Sequence, residues 1–135
     1  MSAPTALAGA ALAMIGTPFV LHGRDPGRGL DCVGVVAAAL RSIGLRVSLP
    51  CNYRLRRVEI AAFAVAAERV GLHEVAANPA PGDILVLQPG PAQFHAGIVG
   101  PSGGLIHAHA GLRRVVLTPP PAPWPIARHW RLAAN

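Results

Sequence analysis

Two kinds of apolar patterning divide the chain near residue 80. Before it, small and aliphatic residues run in blocks of helical length. An Ala/Leu/Met/Ile stretch closed by Gly16 predicts a helix over 3–15. Gly23, Pro26, Gly27 and Gly29 make 22–30 irregular. A second helix is expected over 31–43, with Asp31 as its N-cap and Gly44 as its stop. Residues 45–55 read as a loop around Pro50. A third helix follows over 55–71, with Val58, Ala62, Val65, Ala66 and Val70 as its apolar stripe. Beyond Pro81-Gly82-Asp83 the blocks shorten to strand length. Strands are expected at 84–87, 95–99, 105–109, 113–117 and 126–132. Pro89-Gly90-Pro91 breaks the first, the turn 100–104 joins the next two, and a proline-rich connection precedes the last. Helices first and strands second predict an α+β fold, with N-terminal helices packed on a C-terminal antiparallel sheet of about five strands. At 135 residues without internal repeats, a single domain over 1–135 is expected.

Composition narrows the function. With 52% hydrophobic and 13% charged residues, the chain reads as folded rather than disordered. The net charge of +6 comes from arginine alone, which suits an acidic partner. Only Arg54, Arg56 and Arg57 cluster, and aromatics are 4%, so nothing argues for nucleic-acid binding. Cys32 and Cys51 are too few for a disulfide framework and are read as free thiols, Cys51 as a small hydrophobe. The apolar run 5–15 is too short to span a bilayer. No Lys or Arg precedes Arg24, so a signal-peptide n-region is missing and synthesis in the cytoplasm is expected.

Candidate chemistry centres on Gly29-Leu30-Asp31-Cys32-Val33-Gly34. It sets a thiol at a helix start, where orphan N–H groups and the dipole are expected to lower its pKa. In a hairpin turning at 100–104, Val99 faces Leu105 and Gly97 faces His107. His95 and His107 are then diagonal neighbours on one face, with His109 opposite His95, while Ala96, Ile98, Ile106 and Ala108 point to the core. These parts suffice for a Cys–His nucleophile pair with a further histidine to hold the base. The alternatives are a buried structural thiol at Cys32 or a zinc site of Cys32, His95 and His107. The absence of Cys-x-x-Cys or His-x-x-x-His spacing weighs against zinc. His22, His73 and His129 are read as surface or packing residues, and Asp83 as a turn residue.

The order helix, Gly-Thr-Pro-aromatic, Asp-Cys-x-Gly, Pro-Gly-Asp plus apolar strand, His-x-Gly-Ile and Ile-His-Ala resembles the NlpC-type papain-like cell-wall cysteine peptidases. Within that family it looks most like the phage-tail and gene-transfer-agent branch. The resemblance implies hydrolysis of an amide bond next to a γ-linked D-glutamyl residue of a peptidoglycan stem peptide, through a thioester and without a cofactor. It makes Cys32 the nucleophile, His95 the base and His107 the residue orienting His95. Asp31 matches the position associated with recognising the free amine of the stem peptide. Phe19 stands on the substrate side, where members usually carry Tyr, and Val33 where many carry Ser. The resemblance further implies a virion- or tail-associated protein meeting phage-like tail proteins. Two other readings keep the fold: a weakly active or inactive tail-tip assembly protein, and a thiol acyltransferase or esterase.

Overall fold

The computed structural model describes residues 2–47 and 56–134. The loop expected around Pro50 and the reading of Cys51 as a free thiol fall outside the described residues.

Helix α1, Ala3–Leu12, starts at Ser2, whose hydroxyl accepts the Thr5 N–H. It ends earlier than the composition suggests. Residues 13–16 unwind through turns, and Gly16, at φ 92°, donates its N–H to the Val115 carbonyl. The irregular stretch closes into a two-stranded ribbon, β1 (Arg24–Asp25) and β2 (Gly29–Leu30). Helix α2, Cys32–Ser42, follows with Asp31 as N-cap, as its sequence predicts. Helix α3 covers Arg57–Arg69.

The face that α3 buries is not the one expected. Ile60, Phe63 and Ala67 are buried, whereas Val58 and Val65 are 65% and 58% exposed. Phe63 meets Trp130 edge-on at 5.0 Å. One large ring seated on another outweighs several small aliphatics, and it sets the helix rotation.

The remaining strands are β3 (Leu72–Glu74), β4 (Ile84–Gly90), β5 (Gln93–Val99), β6 (Leu105–His109), β7 (Arg114–Thr118) and β8 (Ile126–Leu132). They form one antiparallel sheet in the order β3-β8-β4-β5-β6-β7. The sheet has six strands rather than about five, because Leu72-His73-Glu74 is too short to carry a period of its own. The expected break at Pro89 is instead an exposed irregularity in β4, where the register against β5 shifts. A residue without an N–H is tolerated there.

Alternation along the strands separates two apolar layers. Ile84, Val86, Ala96, Ile98, Ile106 and Ala108 pack in the core that also holds Leu7, Val35 and Leu40 of α1 and α2. Leu85, Leu87, Val99 and Leu105 form a smaller cluster on the other face, covered by Ala122 and Trp124. β5 and β6 keep the expected register, Ile98 opposite Ile106 and Val99 opposite Leu105.

Asp83 does more than end a turn. Fully buried, it accepts from the Ala80 N–H (2.8 Å), from Arg131 Nε (2.8 Å) and Nη2 (2.9 Å), and pairs with His129 Nε2 at 2.6 Å. The group ties the start of β4 to β8. Burial alone pushes this carboxyl up, but the hydrogen bonds from Arg131 and His129 outweigh it and hold the pKa below the ordinary carboxylate value. Among the described residues no helix is long and apolar enough to cross a membrane.

Candidate active site

The start of α2 is held by one carboxylate. Asp31 Oδ1 accepts from the Gly34 N–H (2.7 Å) and from Arg24 Nη1 (2.7 Å), and Oδ2 accepts from the His22 N–H (3.0 Å). His22 sits at φ 61°, a left-handed conformation that this tether supports. Asp31 itself is only 6% exposed. Gly34 is required by space. A Cβ there would stand 2.0 Å from the Gly23 carbonyl oxygen, so the Asp-Cys-x-Gly pattern lets the 22–30 segment lie directly on the helix start. Phe19 is half-buried against the main core, donates its N–H to the Arg113 carbonyl (2.9 Å) and bridges to Leu30.

Cys32 is the first residue of α2 and is partly exposed. The backbone N–H groups of Ala96, on β5, and of Val33 lie near enough to its sulfur to favour the thiolate. The thiol thus lies against the strand that carries His95, one residue along. The expected drop in its pKa does not occur. Burial of the sulfur pushes the thiol up, and the Asp31 charge adds to this. The two N–H groups and Arg24 oppose the rise without cancelling it. A helix start favours a thiolate, but desolvation by a packed strand outweighs it here.

His95 and His107 meet. Nε2 of His95 and Nδ1 of His107 are 2.9 Å apart, with ring planes at 86°. Nε2 of His107 lies 2.8 Å from Thr118 Oγ1. His109 does not join His95. The β5–β6 ladder ends at Ile98 and Ile106, so β5 leaves β6 before His95 could come opposite His109. His109 instead pairs with Arg114, and its Nδ1 accepts from the Leu112 N–H at 3.0 Å. Gly97 permits the close crossing, since a Cβ would stand 2.7 Å from a Leu105 methyl. Desolvation lowers the His95 pKa to about 4, helped by the charges of His107 and His109. Desolvation and His109 likewise lower His107 to about 4. Both rings are therefore neutral at pH 7, and the bond between them carries one proton.

Trp124 stands edge-on to both rings, at 5.6 Å from His95 and 6.0 Å from His107. Arg57 lies over the ring of Phe94, the residue before His95, at 5.2 Å. Sequence reasoning missed Trp124 and Thr118. Trp124 is hidden in the proline-rich connection. Thr118 was within reach of the register argument, because Val116 opposes His107 and the next residue on that face is 118. Among the described residues, no group of three or more His, Cys, Asp or Glu is arranged to hold a metal ion.

The arrangement brings a neutral thiol to the strand of a neutral imidazole whose far nitrogen is already bonded. Nδ1 is the ring nitrogen of His95 left for proton transfer. Such a set can activate sulfur as a nucleophile at the moment of attack, without a standing thiolate.

A family model described as "NlpC/P60 family" matches residues 16–125. No curated protein matches the chain significantly. Among solved structures, NlpC1 from Trichomonas vaginalis superposes with a TM-score of 0.68 at 20% identity, covering 96% of this chain and 45% of that one. The chain thus spans less than half the length of NlpC1. The NlpC/p60 domain of the peptidoglycan hydrolase SagA is 27% identical over 84% of this chain and 86% of that domain, with a TM-score of 0.57. RipD from Mycobacterium tuberculosis, described as a non-catalytic NlpC/p60 domain protein adapted to peptidoglycan binding, gives a TM-score of 0.58 at 18% identity, covering 94% of each chain.

Proposed function

We infer that this chain, which belongs to the NlpC/P60 family, is a cysteine peptidase that hydrolyses an amide bond in peptidoglycan stem peptides. One observation carries the reading. The thiol at the start of α2 lies against β5 at Ala96, the residue that follows a histidine whose Nε2 is bonded to another histidine.

In this reading Cys32 gives its proton to His95 Nδ1 as the sulfur attacks the amide carbon. The Cys32 N–H, at the open end of α2, donates to the developing oxyanion. His95 then returns the proton to the leaving amine, and water hydrolyses the thioester by the reverse path. His107 holds His95 through Nε2. Asp31 fixes the helix start and His22 through three internal donors, and its remaining acceptor position is the one the free amine of the stem peptide would meet. Phe19 flanks the same helix start, on the substrate side. The bond next to γ-D-glutamate and delivery by a phage-like tail rest on the sequence resemblance alone.

A muropeptide digest followed by mass spectrometry tests the reading. Purified protein is expected to release stem-peptide fragments with new amino termini after γ-D-glutamate. A second reading, peptidoglycan binding without catalysis, is favoured by the raised thiol pKa and by the likeness to RipD. Retention of intact muropeptides without cleavage would support it.

A further inference from the structure

The proposed chemistry makes a demand on His107 that one more residue meets. His95 can take a thiol proton at Nδ1 only while its Nε2 carries a hydrogen. That hydrogen must point at an acceptor, and Nδ1 of His107 is the atom in place, at 2.9 Å. A neutral imidazole that accepts at one nitrogen donates at the other. His107 must therefore carry its hydrogen on Nε2 and find an acceptor there. Thr118 Oγ1 is 2.8 Å away.

Among the described residues Thr118 Oγ1 is the partner found for His107 Nε2, while the nearby His109 has its Nδ1 taken by the Leu112 N–H. Thr118 ends β7, diagonal to His107 across the ladder. It lines a cavity of about 430 Å³ whose other walls are Leu85, Val99, Leu105, Trp124, Ile126 and small or proline residues. Apart from Thr118 itself and the Trp124 indole N–H, a donor only, the side chains lining this cavity are apolar. Reversing the chain would have the Thr118 hydroxyl donate to His107 and His107 donate to His95. Nδ1 of His95 would then already hold the proton and could not accept one from sulfur.

We propose that Thr118 is a positioning residue, whose hydroxyl accepts the His107 Nε2–H and so keeps both histidines in the tautomer that leaves His95 Nδ1 open. The proposal rests on the peptidase reading above. The thiol S–H bond breaks, its electron pair stays on sulfur, and the proton bonds to His95 Nδ1. Through that step Nε2–H of His95 and Nε2–H of His107 remain where they are. No second proton has to move: the new imidazolium donates Nε2–H to His107, which in turn donates to Thr118.

The test pairs nitrogen NMR of histidine-labelled protein with kinetics on muropeptide, in the native chain, Thr118→Val and Thr118→Ser. The native protein is expected to show His95 and His107 both protonated at Nε2. Valine, of the same shape, is expected to disturb the His107 tautomer and to lower kcat roughly tenfold with KM little changed. Serine is expected to restore both. A native His107 protonated at Nδ1 overturns the proposal, as does a folded valine variant with native tautomers and native kcat. If the valine variant does not fold, the native spectrum and the serine variant still decide. The NMR readout needs no substrate. Native Nε2 tautomers in a chain that cleaves no muropeptide would sink the peptidase reading and leave the Thr118 assignment standing.

Discussion

Replacing Cys32 by alanine is expected to end stem-peptide cleavage, lowering kcat on the order of ten-thousand-fold or more. The residue is the one thiol among the described cysteines, and its sulfur packs on the strand of His95. Alanine removes the attacking atom and leaves the helix start intact, because Asp31, Gly34 and Arg24 hold each other without it. Thermal stability is therefore expected to stay within a few degrees of native. That separates a chemical defect from an unfolded protein. Activity within tenfold of native in a folded Cys32→Ala protein would reject sulfur as the nucleophile.

The second large effect is on stability. Asp83→Ala is expected to cost about 3 kcal/mol, the low end for removing one partner of a buried charge pair. The low end applies because Arg131 keeps 30% side-chain exposure and can turn to water. In a domain of this size that lowers Tm by roughly 10 °C. The effect is expected to depend on pH. The folded pKa of Asp83 is depressed, so its contribution is fully present above the ordinary carboxylate range and is lost as pH falls through that range and below. Thermal melts of native and Asp83→Ala protein should therefore differ most near neutral pH and converge in acid. A gap independent of pH would show that packing, not the carboxylate's charge, holds β4 to β8.

How far the sequence could be read follows from which forces were local. Asp31 capping α2, Gly44 closing it and the turn between β5 and β6 are decided within a few residues, and all stand as the pattern predicts. The turn also foretold that His95 would meet His107, although the paired ladder itself reaches only Ile98 and Ile106. His109 does not face His95 because β5 joins the ladder with β6 only from Ile98 on, which no local signal marks. The face of α3 was set by a distant partner, Trp130, lying 67 residues beyond Phe63. The sign of the Cys32 shift went wrong for the same reason. A helix start is visible in sequence, whereas the strand that desolvates the sulfur is not. Asp83 looked like a turn residue because its partners, His129 and Arg131, lie almost fifty residues on.

The high thiol pKa gives the peptidase account its sharpest consequence. A thiol that burial holds protonated reacts at neutral pH only if a neighbouring base takes its proton. Iodoacetamide alkylation of Cys32 at pH 7, scored peptide by peptide so that Cys51 is counted apart, measures this without any substrate. In a folded His95→Ala protein the rate at Cys32 is expected to fall roughly 100-fold below native. Equal rates in the two proteins would mean that the sulfur and the imidazole do not communicate, and would contradict the account.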